Sequence, residues 1–444
     1  PLTTCLHRPG PVFTGSNNAV FSVVDVVAFG NTCVDILLPP APVPVVNALK
    51  TRSSLADFVA NAPCQESWEV GGNCNFLIAA SRIGLRCACV GHVGHDKYGA
   101  FLTKVLAEEN ITFHPLISYD NPTRAGSESQ RTLLCFVLTD GAGKHAFCSR
   151  YDLGPWPLLG GNTEMDPAVS RAISNSSSIF FNGFIFDELE DAAVRAALNS
   201  AKENSTAVFF DPGPRANTFL KDSERGEALR NILAKTNVLL ATLDEATVLV
   251  NVYLRQERQD HFGDNSDDKA KLMTKSSKAK FVARALLESP SCGAEWVVIK
   301  CGPVGAVIFT KDGYEVRVGS PVVPVRDTVG CGDSAAAAIV LGYLNFDRAR
   351  RQAKGDKGLQ DVSDETIHNM LEETLTLATT IGAATAMGDG AGRNVATADA
   401  VRALLSRFGE CEGKKHVARG FGIDTDAAAR AKNMLEASLK NSLL

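Results

Sequence analysis

The residues best suited to do chemistry form a run of small side chains followed by an aspartate, "DTVGCGDS", at residues 327–334. Gly330, Cys331 and Gly332 lead into Asp333, and an alanine-rich helix is predicted to follow. Small residues let backbone N–H groups converge at a helix N-terminus, which attracts anions. Asp333 beside that anion hole could accept a proton from a hydroxyl that attacks phosphorus. Taken alone, however, the run fits a Gly-rich turn with Asp333 as the helix N-cap better.

A second run, "EVGGNCNFLIAASRIGLRCACVGHVGHDKYG", covers residues 69–99. Gly71 and Gly72 would allow the backbone to approach a ligand closely, and Asn75 could bond to hydroxyls from the start of the next helix. No G-x-G-x-x-G fingerprint leads from a strand into a helix. The Gly-Lys pair of "DGAGKHAF" lacks the P-loop pattern, since Leu138 replaces the first glycine and His145 the Ser/Thr. A bound nucleotide would therefore be held in another way.

Composition excludes some classes of protein. The 444 residues carry 45 Lys+Arg against 50 Asp+Glu, a net charge of −5, which argues against a broad positive surface for nucleic acid or membrane. No apolar run approaches the roughly 20 residues that span a bilayer. The 12 cysteines include no Cys-x-x-Cys pair, which favours free thiols in a reducing intracellular compartment. Because a removed transit peptide would leave no trace, plastid and cytoplasm both remain open.

Apolar strand-like runs alternate with helical stretches from Phe21 onward, which predicts an α/β fold with a parallel sheet covered on both faces. Residues 114–150 break this rhythm and predict a hairpin that turns at 140–143. Polar residues predict a solvated insertion at 251–280 and a second polar loop at 346–365. The predicted organisation is a flexible arm at 1–20, a main domain at 21–405 and a helical tail at 406–444.

Together the two motifs, in this order and at this separation, resemble the ribokinase/PfkB family of sugar and nucleoside kinases over roughly residues 23–405. The resemblance implies a ribokinase-like parallel-sheet sandwich, with a small β-sheet lid formed by segments 33–46 and 114–150. It also implies ATP and Mg²⁺ as cofactors, K⁺ as a candidate monovalent cation, and a homodimer paired through the lids. Neither nucleic acid nor a membrane is an expected partner.

The resemblance also implies roles for individual residues. Asp333 would be the catalytic base, and Gly330, Cys331 and Gly332 would form the anion hole for the transferred phosphoryl group. The other implied roles are acceptor binding by Asp35, Gly71, Gly72 and Asn75, nucleotide binding by Thr328, Lys300, Gly302, Gly305, Ala384 and Gly390, a place in the magnesium network for Glu245, and a monovalent-cation contact for Asp327.

Two departures from the family's pattern stand out, of which the first concerns metal handling and the second concerns the identity of the acceptor. Thr242 replaces the asparagine of the family's Asn-x-x-Glu, and "GGNCN" is one residue shorter than the common sugar-kinase loop. The motifs "FFDPGPR" and "GDGAGRN" are most similar to a plant and algal branch that includes plastid nucleoside kinases. This favours a nucleoside 5′-hydroxyl as acceptor, with Phe136 or Phe147 as candidates to contact the base, although both suit lid packing better. The alternatives are a fructokinase- or ribokinase-type sugar kinase and a catalytically retired scaffold in a plastid assembly.

Overall fold

The computed structural model describes residues 24–38, 51–116, 131–139, 145–159, 165–218, 223–253, 275–355, 362–409 and 418–442. Within these ranges the strands are β1 (Val24–Phe29), β2 (Thr32–Leu37), β3 (Trp68–Gly72), β4 (Cys87–Gly91), β5 (Thr112–Pro115), β6 (Leu134–Thr139), β7 (His145–Ser149), β8 (Ser176–Asn182), β9 (Ala207–Asp211), β10 (Val238–Thr242), β11 (Trp296–Lys300), β12 (Ala306–Thr310), β13 (Glu315–Val318), β14 (Ser320–Pro321) and β15 (Ala418–Arg419). The helices are α1 (Arg52–Ala60), α2 (Asn73–Arg82), α3 (Lys97–Glu108), α4 (Pro167–Ser174), α5 (Ile185–Glu188), α6 (Asp191–Glu203), α7 (Ser223–Lys235), α8 (Leu243–Tyr253), α9 (Lys275–Glu288), α10 (Cys331–Gly355), α11 (Asp364–Thr385), α12 (Ala398–Gly409) and α13 (Thr425–Asn441).

A nine-stranded sheet forms the centre of the molecule, in the order β13-β12-β11-β10-β9-β8-β1-β4-β5. All neighbours are parallel except the β11–β12 and β12–β13 pairs at one edge. Alternate residues of β1 enter opposite cores: Val26 and Ala28 pack with α2, α3 and α10 to α13, whereas Val27 and Phe29 pack with α4 and α6 to α9. Both faces are therefore covered, and the predicted fold class is confirmed.

A separate four-stranded sheet in the order β3-β2-β6-β7 lies beside the large one. It contains parts of both segments assigned to the lid, 33–46 and 114–150, and also β3, which was not foreseen. Residues 114 and 115 instead belong to β5 at the edge of the large sheet. The expected turn at 140–143 lies outside the described residues.

The structure corrects several predicted boundaries. α8 continues to Tyr253 and α9 begins at Lys275, so the insertion predicted at 251–280 is shorter at both ends, and its residues 254–274 lie outside the described ranges. The polar loop predicted at 346–365 is wrong over residues 346–355, which continue α10. Its charged residues are good helix formers, and an i,i+4 ion pair joins Arg351 to Asp347 at 2.7 Å.

The C-terminal segment is part of the main core. α12 crosses the boundary predicted at 405, and α13 packs against α11 and α12 through the buried side chains of Ala427, Ala431 and Leu435. The arm predicted at 1–20 lies outside the described residues. Among the described helices, none combines the length and apolar character that a membrane crossing requires.

Candidate active site

The run 327–334 folds as a tight turn into α10. Gly330 adopts a φ of 79°, which favours glycine, and Cys331 is the first helical residue. Asp333 therefore lies inside the first turn instead of preceding it as an N-cap. Its Oδ2 atom accepts a hydrogen bond from Asn75 Nδ2 at 3.1 Å. The carboxylate is thus directed toward α2, across 258 residues of sequence, at the positive end of α10.

Asn75 connects Asp333 to the glycine-rich segment that follows α11. While its amide nitrogen donates to Asp333, its Oδ1 atom accepts from the backbone N–H of Gly392 at 2.8 Å. The next residue, Arg393, pairs with Glu69 of β3 at 2.9 Å. A Cβ atom on Gly392 would lie 2.7 Å from Glu69 Oε2, and its φ is 65°. These contacts fix which way the Asn75 amide faces and so fix its donor toward Asp333.

Asp35 of β2 is buried close to Asp333. Any Cβ atom at Gly71 would overlap the Asp35 carboxylate, so the glycine makes space for this side chain. Burial raises the pKa of Asp35 to about 7. A hydrogen bond from the Cys33 thiol at 3.5 Å opposes this rise, whereas the charges on Asp333 and Glu69 add to it. Gly72 has a φ of 63° and lies against the carbonyl of Asn31. Gly71 thus accommodates Asp35, while Gly72 turns the chain into α2.

The pKa of Asp333 also responds to an ion pair at the carboxyl ends of two parallel strands. Burial raises the pKa of Asp333 to about 6 and the charge on Asp211 adds to the rise, whereas Asn75 and Lys300 oppose it. Lys300 at the end of β11 forms an ion pair with Asp211 at the end of β9. Burial alone would lower the pKa of Lys300, but the charges on Asp211 and Glu245 outweigh it and raise that pKa. Sequence reasoning did not assign a role to Asp211, although its place at a strand end was a usable signal.

The Thr242 departure has a structural consequence. The backbone N–H of Thr242 donates to Glu245 Oε2 at 2.7 Å, and the N–H of Glu245 donates to Thr242 Oγ1 at 3.3 Å. This reciprocal pair is a capping box at the start of α8, in which threonine replaces asparagine without loss of the cap. Burial raises the pKa of Glu245, and the charge on Asp211 raises it further.

The carboxylates of Asp211, at the end of β9, and Glu245, in the first turn of α8, fit a divalent cation. The influence of Asp211 on the pKa of Glu245 shows that the two negative charges are close enough to interact. Carboxylate oxygens are the donors that Mg²⁺ prefers, and Mg²⁺ commonly uses one or two of them together with substrate phosphates. Within the described residues no cluster of three or more His, Cys, Asp or Glu side chains could hold a metal by itself. The donor set therefore suits a metal shared with a phosphate better than one caged by protein alone.

A cavity of about 590 Å³ opens beside the start of α10, and its lining is mostly apolar. Such a volume is in the range of small-molecule and cofactor sites. Residues predicted to bind nucleotide that line it are Lys300, Gly302, Gly305 and Thr328, and the anion-hole residues Cys331 and Gly332 line it as well. Burial raises the pKa of the Cys331 thiol to about 12, so Cys331 stays protonated at neutral pH and acts as a small side chain.

Two of the predicted nucleotide residues do not line this cavity. The cavity is lined by residues of α11 that recur at helical spacing on one face and by the residue that caps the helix, namely Leu375, Ala378, Thr379, Gly382, Ala383 and the cap Ala386. Ala384 lies off that face and packs into the core. Gly390 lies near Asp327 instead, since a Cβ atom there would be 3.5 Å from Asp327 Oδ2. The segment that the motif names thus contributes to the wall of the cavity, but through residues other than Ala384 and Gly390.

Strand alternation separates the two phenylalanines proposed to contact a base. Cys135 and Ser149 are cross-strand neighbours in line with Asp35, so odd-numbered residues of β6 and β7 share its face. Phe147 is on that face and 39% exposed. Phe136 is on the other face, fully buried and stacked on Phe58 of α1 at 5.3 Å. The interpretation of Phe136 as a packing residue fits this placement.

The matching family model is described as "pfkB family carbohydrate kinase" and covers residues 59–398. The chain belongs to the PfkB family. Probable fructokinase-7 of Arabidopsis thaliana is 26% identical over 384 residues, covering 86% of this chain and 92% of its own. 5-Dehydro-2-deoxygluconokinase 2 of Bacillus cereus is 23% identical over 322 residues, covering 72% and 83%.

Solved structures share the fold of this chain. Adenosine kinase from Sinorhizobium meliloti aligns with a TM-score of 0.60 at 18% identity, covering 86% of this chain and 99% of its own. A putative ribokinase II from E. coli, solved with ATP and Mg²⁺, aligns with a TM-score of 0.57 at 18% identity over 86% and 99%. The protein is thus a kinase, a phosphotransferase of ribokinase-like fold.

Proposed function

We propose that this PfkB protein transfers the γ-phosphoryl group of ATP to a primary hydroxyl of a neutral sugar or nucleoside, with Asp333 as the general base. The observation that carries the proposal is the position of Asp333. It lies between the cavity, which Gly332 lines, and the acceptor-side residues Asn75 and Asp35. A hydroxyl held by Asp35 would therefore face both the base and the phosphoryl group.

Each residue of the site would have a role in phosphoryl transfer that follows from its chemistry. With a pKa of about 6, Asp333 is mostly ionised at neutral pH and binds a proton more tightly than an ordinary aspartate does, which suits a base. Backbone N–H groups at Gly330, Cys331 and Gly332 would stabilise charge on the transferred group. Asp211 and Glu245 would hold Mg²⁺ against the phosphates, and Lys300 would contribute positive charge beside them. When bound, the metal supplies neutralisation of phosphate charge.

The charges near Asp35 support a neutral acceptor. Asp35 lies near the carboxylates of Glu69 and Asp333, and burial first, with these two charges in addition, raises its pKa. Burial raises the pKa of Cys135 on the same face, and the charge on Arg215 is near enough to oppose part of that rise. Arg215 itself pairs with Asp187 at 2.7 Å and with Asp152 at 3.2 Å. Because its charge is already compensated, it offers little to an acceptor carboxylate. This favours a neutral polyol over a sugar acid such as the one named for the Bacillus relative.

Between the two neutral classes, the lid favours a nucleoside. Phe147 presents a partly exposed ring on the same face as Asp35, where a base could stack on it. The fructokinase name of the Arabidopsis relative favours a hexose instead. No disulfide joins the ten cysteines of the described ranges to one another, which supports action in a reducing compartment, plastid or cytoplasm.

The test measures ADP formation by purified protein with Mg-ATP and a panel of purine and pyrimidine nucleosides, ribose, fructose and an aldonic acid. We expect turnover on a neutral acceptor and little on the acid. Asp333→Asn should lower kcat by about 10²- to 10⁴-fold while ATP binding is retained. Phe147→Ala should raise the KM of a nucleoside far more than that of a sugar.

Each contrary result has a defined meaning. Equal turnover by Asp333→Asn would refute the base, and preference for the aldonic acid would refute the charge argument. Failure of every acceptor to support turnover would favour the retired scaffold.

A further inference from the structure

A histidine of the small sheet touches the loop that forms the anion hole. His145 Nε2, at the first residue of β7, lies 2.9 Å from Asp327 Oδ1. Both side chains are largely buried, at 10% and 15% exposure. The neighbouring ring of Phe147 lies parallel to the imidazole at 6.3 Å. The contact therefore joins the acceptor-side sheet to the segment that precedes α10.

The same carboxylate oxygen organises the anion-hole loop. Asp327 Oδ1 also accepts a hydrogen bond from the backbone N–H of Val329 at 2.8 Å, one residue before Gly330. On its other side the loop is tied to α11, because the N–H groups of Arg326 and Asp327 donate to the carbonyl of Ala386 at 2.8 and 3.3 Å. His145 thus completes a set of contacts that holds Asp327 between the nucleotide side and the small sheet.

We propose that His145 is a positioning residue that couples closure of the small sheet to assembly of the anion hole. This rests on the proposed kinase function of the same site. With the contact formed, the sheet is held over the acceptor while Asp327 orders the turn into Gly330. Without it, either part can move independently, and water then has access to the phosphoryl group. His145 acts through Asp327 and need not touch a substrate.

Three variants separate positioning from general structure. His145→Ala removes the contact, and His145→Gln places an amide nitrogen at nearly the reach of Nε2. His368→Ala, an exposed histidine of α11, is the matched control. Hydrogen exchange is followed in peptides covering 134–139, 145–149 and 327–332, with thermal unfolding measured alongside. Kinetics give kcat, the acceptor KM, and ADP formed with and without acceptor.

For His145→Ala we expect exchange to rise about fivefold in both the sheet and the 327–332 peptides, as loss of one polar contact predicts. Acceptor-independent ADP formation should rise as a fraction of the total, while the thermal midpoint stays near that of the control. His145→Gln should restore both readouts toward wild type. In combination with Asp327→Ala, His145→Ala should add little further exchange, because the two residues act through one contact.

Unchanged exchange at 327–332 in His145→Ala would overturn the coupling, and so would a glutamine variant indistinguishable from alanine. The exchange experiment does not need turnover. If wild type phosphorylates nothing on the panel, the proposed function fails while the exchange data still decide whether His145 joins the two parts.

Discussion

Replacement of Asp35 by asparagine should stabilise the protein at alkaline pH while it impairs the proposed acceptor site. Asp35 is 7% exposed and lies near two other carboxylates. Burial first, and the charges on Asp333 and Glu69 in addition, raise its pKa from 3.8 to about 7, against the opposing Cys33 hydrogen bond. Asparagine has nearly the same shape and an oxygen that can still accept from Cys33, but it carries no charge.

The size and sign of the effect follow from proton linkage. Because the folded state binds the Asp35 proton more tightly than the unfolded state, wild-type stability falls as pH rises from about 4 to 7. At about 1.4 kcal/mol for each tenfold change in proton affinity, the full loss is about 4 kcal/mol. Between pH 5 and pH 8 the expected part is about 2–3 kcal/mol. The asparagine variant lacks this loss, so its advantage over wild type should grow by that amount.

The assay is urea unfolding of wild type, Asp35→Asn and Asp57→Asn at pH 5, 6, 7 and 8. Asp57 is exposed on α1 and serves as a matched aspartate-to-asparagine control, for which the difference from wild type should stay flat. A flat difference for Asp35→Asn as well would show that burial of this carboxylate costs no free energy of folding, and the electrostatic description of the site would be wrong.

Two further results are expected of the same site. The kcat of wild type should rise with pH to a plateau, with a midpoint near 6, because Asp333 must lose its proton to act as a base. Asp211→Asn should move that midpoint lower, because it removes a charge that raises the pKa of Asp333. An unmoved midpoint would assign the titration to another group. Gly71→Ala should raise the acceptor KM at least tenfold, because its Cβ would displace the Asp35 carboxylate, and should leave the KM of ATP unchanged. Initial rates measure both constants. An equal effect on the two would mean general misfolding instead.

Local motifs were enough to predict the fold class. Each motif depends on the backbone conformation or the space that its own residues need. The Gly330 turn needs a positive φ, and Gly71 must lack a side chain beside Asp35. Apolar runs with helical stretches between them predicted a sheet covered on both faces, which the structure confirms. Boundaries are predicted less well, because polar residues suit both a loop and the exposed side of a helix, and residues 346–355 continue α10.

The sequence does not predict the roles of residues that depend on contacts with distant parts of the chain. Asp211 acquires its role from Lys300, 89 residues away, and His145 from Asp327, across an even longer separation. Neither residue belongs to a motif with its partner. Ala384 is a different case. Its segment lines the cavity, but through Ala383 and Ala386, because the packing of α11 decides which residues face the cavity.

The sequence by itself determined that small residues precede Asp333, that a glycine pair precedes Asn75, and that acidic residues outnumber basic ones. These are properties of residue type and spacing, so no partner is needed to define them. Only the tertiary structure decided the electrostatic character of the site. Burial raises the pKa values of Asp35 and Asp333 first, and the nearby charges of Asp333 on Asp35 and of Asp211 on Asp333 add to it. Burial and proximity belong to the packed molecule.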